Sequence, residues 1–201
     1  FTETLPFLCF RTFLFSFRKL CLNLLWNICK EAGVTTGALY FFFKDKEDLL
    51  AALVEEPLRQ LYAIMEEHYA TEMHNEDQVA QLDIADDGDL EASRQIIRQM
   101  YANREAFLLL LTKSQGSRFE NCLDEVVDIS EQQYRRLCDM VTNATGRPRV
   151  DDYMTHWMAH IMVDTFVHLF LHETEERVAL KHVDALTMYL VRGWMGIMTE
   201  S

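Results

Sequence analysis

The sequence predicts an all-α protein, and three observations carry this prediction. Only seven of the 201 residues are glycine and three are proline, so natural breaks between elements are few. Apolar residues recur at spacings of three and four along most of the chain, which is the period of an amphipathic helix. Residues 31–50, the turn segment, combine the residue types of a helix end, a turn and two helix starts. A chain of this length can bury one good core, or a small domain and a larger one.

The first thirty residues are rich in phenylalanine and cysteine, with six and three of them respectively. Asn23 is of a residue type that can serve as a helix N-cap. A cleaved signal peptide is disfavoured, because the stretch lacks a basic start and a small-residue cleavage site.

The turn segment can be followed residue by residue. Gly33 is expected to end the preceding helix, since glycine takes a positive φ at little steric cost. Thr35 is the predicted N-cap of a short helix, whose other free backbone amides could face an anion such as a phosphate. Asp45 and Asp48 mark the start of the next helix, because acidic groups are stabilised at its positive end.

Three runs of the turn segment resemble the helix-turn-helix signature of the tetracycline-repressor (TetR/AcrR) family: Ala32-Gly33-Val34, Gly37-Ala38-Leu39-Tyr40 and Phe43-Lys44-Asp45-Lys46-Glu47-Asp48-Leu49. The resemblance implies an N-terminal three-helix helix-turn-helix DNA-binding domain over residues 1–50. Its first two helices are expected over about 5–17 and 23–31, where apolar residues fall on the family's inward positions, and Asn23 could cap the second. The resemblance also implies a C-terminal helical ligand-binding and dimerisation bundle over residues 51–201.

The same resemblance implies which residues touch DNA. The positions that match are Thr35, Thr36, Gly37, Tyr40, Phe41 and Lys46. Lys44 joins them on its charge alone, since it flanks a helix start and suits a phosphate contact. Phe42 departs from the family pattern, which often has a histidine there, so one hydrogen-bond donor to DNA is lost. The alternative for the aromatic run is that it belongs to the core, and for Phe43 this is the preferred interpretation.

Charge is divided unevenly along the chain. The formal net charge is −13, but residues 1–50 carry six Lys and Arg against five Asp and Glu. An acidic remainder repels DNA phosphates, so binding through the first 50 residues should be sensitive to salt and modest per monomer. This favours a dimer that presents two DNA-binding modules.

A long amphipathic helix is predicted from about Lys46 to Ala70. Pro57 lies inside it and is expected to kink or split it. The following stretch, from His74 to Asp89, contains four nearby aspartates that suggest calcium. The ordered alternation of an EF-hand loop is missing, however, so a solvated acidic loop is predicted instead.

Further helices are predicted over 90–103, 105–114, 117–143, 151–173 and 175–198. Such a bundle can be filled entirely by its own side chains. The family resemblance implies instead a cavity for a small apolar or aromatic effector. The residues predicted to line this effector pocket are apolar or aromatic: Met100, Phe107, Leu111, Phe119, Tyr134, Trp157 and Met158.

A histidine series occupies every fourth position of the helix predicted over 151–173: His156, His160, Asp164, His168 and His172. Neighbouring members share a helix face and could hold a metal ion. The whole series cannot, because the stripe turns by about 160° from first to last. We therefore expect polar residues at a subunit interface or at a pocket edge, and no metal site.

The resemblance also implies that the final two helices pair with those of a second subunit as a four-helix bundle. The residues expected at this homodimer interface are mostly apolar: Phe166, Phe170, Leu186, Leu190, Gly193, Trp194 and Ile197.

Other features narrow the function class. Five cysteines without a close pair favour a reducing, cytoplasmic compartment and buried thiols. No uninterrupted apolar run approaches the length of a membrane span. A nucleophile elbow, a glycine-rich phosphate loop and a zinc-binding cysteine pattern are all missing, so we expect no enzyme, no catalytic residue and no cofactor.

These observations together predict a cytoplasmic, homodimeric transcription regulator, a repressor that binds double-stranded operator DNA. A small apolar or aromatic effector is expected to release it. The alternative is a helical ligand-binding or metal-binding protein without DNA-binding activity, which the acidic body and the histidine series favour.

Overall fold

The structure, a computed structural model, describes residue 33 and residues 35–74 and 87–200 of the chain. These residues form seven α-helices, numbered in chain order: α1 Thr36–Phe42, α2 Lys46–His74, α3 Asp87–Ala102, α4 Arg104–Lys113, α5 Cys122–Thr145, α6 Asp152–His172 and α7 Glu176–Glu200. The described ranges contain no β-strand, and the all-α prediction is confirmed. The helices predicted over 5–17 and 23–31 lie outside the described residues.

The chain divides into two compact units, Phe1–Ala52 and Leu53–Ser201. The domain boundary predicted after residue 50 lies close to this division and stays a prediction. None of the described helices is long and apolar enough to cross a membrane.

Helix α2 contains Pro57 in its interior. Of the two outcomes predicted for this proline, a kink or a split, the split is wrong. Proline cannot donate a backbone hydrogen bond, but contacts with α3 stabilise the helix at this point. The buried Pro57 carbonyl accepts a hydrogen bond from Gln99 Nε2 at 3.3 Å, and the same amide donates to Gln60 Oε1 at 2.7 Å.

Helix α3 begins within the predicted acidic loop, so the last residues of that prediction are wrong. Asp87 and Asp89 occupy the first helical turn, where the positive end of the helix dipole stabilises carboxylates. Residues 75–86, which hold the other two aspartates of the calcium hypothesis, lie outside the described residues.

Helix α5 starts at Cys122, later than the predicted residue 117. The preceding residues form turns instead of a helix. Gly116 has a φ of 73° and donates its N–H to Glu120 Oε2 at 2.9 Å, while Ser117 Oγ donates to the Ser114 carbonyl. A residue with positive φ interrupts the helical backbone, which explains the later start.

The core of the second unit lies among α3, α5, α6 and α7. Helix contacts are most extensive between α3 and α7 and between α5 and α6. Burying an aliphatic or aromatic side chain stabilises the folded state by about 1.5–3 kcal/mol. The most completely buried apolar residues are Val54, Ile97, Cys138, Ala159, Phe170, Ala179 and Val183.

Candidate functional sites

The predicted turn and cap are present at the start of α1. Gly33 has a φ of 66°, in the left-handed region that favours glycine. Thr35 Oγ1 accepts a hydrogen bond from the Ala38 N–H at 3.1 Å, which is the geometry of an N-cap. The short helix is therefore fixed at its first turn by the residue that the sequence indicates.

Helix α1 presents aromatic rings to solvent. Tyr40 is 51% exposed, Phe41 84% and Phe42 74%, and the rings of Phe41 and Phe42 meet edge to face at 5.3 Å. Phe43 is half-buried. An exposed apolar patch of this kind marks an interaction surface. The side chains of Thr36 and Leu39 lie outside the described residues.

The start of α2 is capped by two carboxylates. Asp45 Oδ1 accepts from the Asp48 N–H at 2.9 Å, and Asp48 Oδ2 accepts from the Lys44 N–H at 3.1 Å. These bonds fix the backbone that carries Lys44 and Lys46, and both of these lysines are exposed. Two ammonium groups beside a helix N-terminus suit contact with phosphates.

A cavity of about 260 Å³ lies inside the second unit, with walls from α2 to α7. Its volume is slightly below the range of about 300–1,000 Å³ that is usual for small-molecule sites, so it fits a small ligand. Most of its lining is leucine, methionine, valine and phenylalanine. Such a wall favours an apolar ligand.

Five of the seven residues predicted for the effector pocket line this cavity: Met100, Phe107, Leu111, Tyr134 and Met158. The other two do not. Phe119 is buried in the turn before α5, with the guanidinium of Arg118 5.0 Å from its ring. Trp157 is 48% exposed, because it lies on the outer side of α6, whereas Met158 faces the cavity. That the cavity binds an effector stays a prediction.

Two polar atoms in the cavity wall are buried without a partner. Thr187 Oγ1 and Trp194 Nε1, both on α7, have no hydrogen bond, although nearly every buried polar group in a native protein has one. Both residues line the cavity. A ligand with hydrogen-bonding atoms could satisfy them.

The charged part of the lining was not predicted from the sequence. His68, Glu72 and Asp89 line the cavity, whereas no lysine or arginine is among the described residues that do so. The spacing of residues on α2 could have indicated them, because His68 and Glu72 follow the inward-facing Leu61 and Met65 at intervals of three and four residues. Neighbouring Tyr69 donates to Ser130 Oγ at 3.2 Å, and burial raises the pKa of Tyr69 to about 12.

The histidine series is not part of the cavity lining, so the pocket-edge interpretation is wrong and the subunit-interface interpretation stays a prediction. His156 Nδ1 lies 2.6 Å from Glu131 Oε2, and Arg135 Nε donates to the same carboxylate at 3.0 Å. Burial opposes ionisation of Glu131, but these hydrogen bonds outweigh it and lower the pKa of the carboxyl group. His156 and His160 stack edge to face at 4.6 Å.

The residues predicted for the dimer interface divide into two groups. Phe166, Phe170 and Trp194 are buried inside the single chain, so their side chains offer little surface to a second subunit. Their place at a dimer interface stays a prediction. Phe166 packs with Ile97 of α3, Phe170 contacts Tyr101 of α3 and Phe107 of α4, and Trp194 packs with Cys138 and Val141 of α5. Leu186, Leu190 and Ile197 are half-buried and Gly193 is exposed.

The outer surfaces of α6 and α7 also expose large aromatic residues, among them Trp157, which had been predicted to line the effector pocket. Tyr153 and Trp157 on α6 and Tyr189 on α7 are large and solvent-exposed. Tyr153 and Trp157 are four residues apart and therefore share a helix face. Protein interfaces are enriched in aromatic residues of this kind.

Comparison with known proteins gives three findings. Residues 26–53 match the family of bacterial regulatory proteins described as the tetR family. The chain is 46% identical over 41 residues to the fatty acid metabolism regulator protein of Bacillus subtilis (strain 168), which is 20% of this chain and 21% of that protein. It therefore spans about a fifth of the length of this curated relative.

A solved structure matches over most of the chain. The TetR family transcriptional regulator PfmR from Thermus thermophilus has a TM-score of 0.54 to this protein, with 18% identity over 84% of this chain and 87% of that chain. At this identity the match shows a shared fold. The segment that matches the family contains the capped turn and helix α1.

Proposed function

We propose that this chain is a transcriptional repressor of the TetR family of bacterial regulatory proteins, and that an effector releases it from its operator DNA. The observation that carries the proposal is the capped helix α1 with its exposed rings, inside the segment that matches the family. A role as a non-catalytic regulator in the cytoplasm follows from the same proposal.

The proposed DNA contacts divide into two kinds. The hydroxyl groups of Thr35 and Tyr40 and the ammonium groups of Lys44 and Lys46 would donate to phosphates. Such contacts fix the register of the protein without reading sequence. Phe41 is the most exposed ring of α1 and would reach base edges, where apolar side chains contact the thymine methyl group. Thr36 and Gly37 complete the proposed base-reading tip.

Helix α2 supports a route from effector to DNA. It begins at Lys46, a proposed phosphate contact, and its residues Leu58, Leu61 and Met65 line the cavity. A ligand that prefers one position of this helix would shift the population of positions available to its DNA-proximal end. The effector is proposed to be small and apolar or aromatic, as the cavity wall favours.

We propose a homodimer that uses the exposed outer surfaces of α6 and α7. Tyr153, Trp157 and Tyr189 supply the aromatic side chains that interfaces favour. Leu186 and Ile197 add apolar area, and Gly193 permits close approach of a partner helix. Two DNA-binding modules would then occupy major grooves about one helical turn apart.

Gel-shift titration across a salt series tests the proposal, with DNA from upstream of the protein's own coding region as the probe. We expect a steep loss of affinity with salt, since each phosphate contact releases counterions. Lys46→Ala should weaken binding and reduce the salt slope by about one. Lys181→Ala, which removes an exposed lysine of α7, is the matched control and should change neither.

A helical ligand-binding protein without DNA-binding activity is the alternative function. Its supporting observation is the cavity with two unpartnered polar atoms on α7. Such a cavity can bind a ligand whether or not the protein binds DNA. If the protein fails to bind its upstream DNA even at low salt, the repressor proposal is contradicted and this alternative gains support.

A further inference from the structure

Three potential metal ligands converge in the cavity wall. His68 Nε2 lies 3.5 Å from Glu72 Oε1 and 3.3 Å from Asp89 Oδ1, and one ligand atom from each residue lies within 4.8 Å of the others. His68 and Glu72 are one turn apart on α2, while Asp89 comes from the first turn of α3. Within the described ranges, this is the only group of three or more such side chains with this spacing.

We infer that His68, Glu72 and Asp89 form a binding site for a divalent transition-metal ion of the Zn²⁺ type. In a tetrahedral site with bonds of about 2.0–2.1 Å, neighbouring ligand atoms are about 3.3 Å apart. The two distances from His68 Nε2 have this length before any rearrangement. One imidazole and two carboxylates are a ligand set that Zn²⁺ accepts, whereas Mg²⁺ and Ca²⁺ prefer oxygen ligands alone.

Gln133 on α5 is an independent observation that points to the same site. Its Nε2 donates to Glu72 Oε2 at 3.0 Å, which leaves Glu72 Oε1 directed at His68. Carboxylates that bind metals are commonly held by such an outer hydrogen bond. The glutamine is only 2% exposed and its Oε1 has no partner.

Burying that oxygen without a partner destabilises the folded state. Packing alone would favour an apolar residue of the same size at position 133. The amide is accounted for if its task is to hold the Glu72 carboxylate in the orientation that a metal ion requires.

The setting of the site adds to the argument. All three ligand residues line the cavity, so an ion held by them would keep a coordination position for water or for a donor atom of a cavity ligand. A cation would also offset the charge of two carboxylates in a wall where no described lysine or arginine lies.

Calorimetric titration of the full-length protein with Zn²⁺, after removal of bound metal by a chelator, tests the inference. We expect one Zn²⁺ per chain, and Co²⁺ in its place should give the visible absorption of a tetrahedral site. Glu72→Gln and Asp89→Asn should each weaken Zn²⁺ binding by at least about tenfold. Glu67→Gln, the same change at an exposed position of α2, is the matched control and should leave binding unchanged.

A second variant separates a metal-orienting role of Gln133 from a structural one. Gln133→Met should weaken Zn²⁺ binding by about 10–100-fold while thermal stability without metal stays the same or rises, because the unpartnered oxygen is removed. Circular dichroism establishes that each variant is folded.

Two results would overturn the inference: a wild-type protein that binds no stoichiometric Zn²⁺, or a folded Glu72→Gln variant that binds it as tightly as the wild type. The site goes beyond the proposed repressor function. Since Zn²⁺ binding is measured without DNA, its failure leaves that function untouched, and a failed gel shift leaves the metal site untouched.

Discussion

Helix α1 and the α2–α7 bundle depart from the usual distribution of side chains in opposite directions. Helix α1 exposes the apolar rings of Tyr40, Phe41 and Phe42, which a folded protein ordinarily covers. The bundle buries polar atoms of Thr187 and Trp194 without partners, which a folded protein ordinarily avoids. Each departure costs stability when the protein is alone. The difference indicates that helix α1 is suited to bind a surface outside the chain that is both apolar and charged. The α2–α7 bundle is suited to bind a ligand inside it.

The largest effect is expected where neither departure applies. Phe170 is 0% exposed, with its ring 5.4 Å from Tyr101 and 6.3 Å from Phe107. Phe170→Ala should lower the free energy of unfolding by about 3–5 kcal/mol, as measured by urea denaturation. The control is Phe42→Ala on α1, which removes an exposed ring. A comparable loss of unfolding free energy in both variants would contradict the stated difference between the two regions.

The exposed rings of α1 should matter for DNA and little for stability. We expect Phe41→Ala to change which operator bases are preferred, with discrimination altered by about 1–3 kcal/mol per contacted base pair. Tyr40→Ala should instead weaken specific and random DNA alike, because it loses a phosphate contact. Competition binding with an operator library measures both. Equal losses on specific and random DNA for the two variants would contradict this division of roles.

The unpartnered polar atoms of the cavity wall should affect stability in the free protein. Thr187→Val keeps the shape of the side chain and removes the unpartnered hydroxyl, so it should raise the free energy of unfolding by about 1 kcal/mol. Thr155→Val is the matched control, since the fully buried Thr155 hydroxyl donates to the Asp152 carbonyl at 2.9 Å. That variant should lose about 1 kcal/mol. Thermal melts of both without ligand decide the matter, and a Thr187→Val variant less stable than wild type would show the hydroxyl to be satisfied.

The smallest effect concerns the ion pairs of Glu131. Its pKa is lowered from the ordinary value of 4.5, so its stabilising contribution is complete above about pH 4.5 and is lost as pH falls through the lower folded pKa. Glu131→Gln should therefore cost up to about 1 kcal/mol near neutral pH and converge with the wild type in acid. Urea denaturation across pH 3–7 measures this, with Glu67→Gln as the control. A difference that persists unchanged at the acid end would contradict the assignment.

A structural feature could be predicted from the sequence when it depends only on residues that are neighbours in the chain. The Thr35 cap and the Asp45 helix start follow from residue types within one turn, so both were predictable. Helical periodicity likewise indicated Met100 and Met158 as inward-facing. Periodicity cannot tell which residues meet a cavity, however. Phe119 lies in the turn before α5 and Trp157 on the outer side of α6, and neither lines the cavity.

Features that join distant parts of the chain were out of reach. The contact between His68 and Asp89 depends on how α2 and α3 cross, which no local pattern encodes. Phe166 and Phe170 were predicted at a dimer interface because an apolar helix face can be covered equally by a partner or by the same chain. In this structure α3 and α4 of the same chain contribute the residues that pack against these two rings.

The two buried cysteines of α5 provide internal chemical reporters. Burial raises the pKa of Cys138 to about 11 and also raises that of Cys122, so both thiols stay protonated and slow to alkylate at neutral pH. Cys122 lines the cavity and Cys138 does not. The alkylation rates of the two cysteines could therefore be measured side by side. Slower alkylation of Cys122 alone would indicate that the cavity is occupied. A changed rate at both cysteines would indicate that helix α5 itself opens.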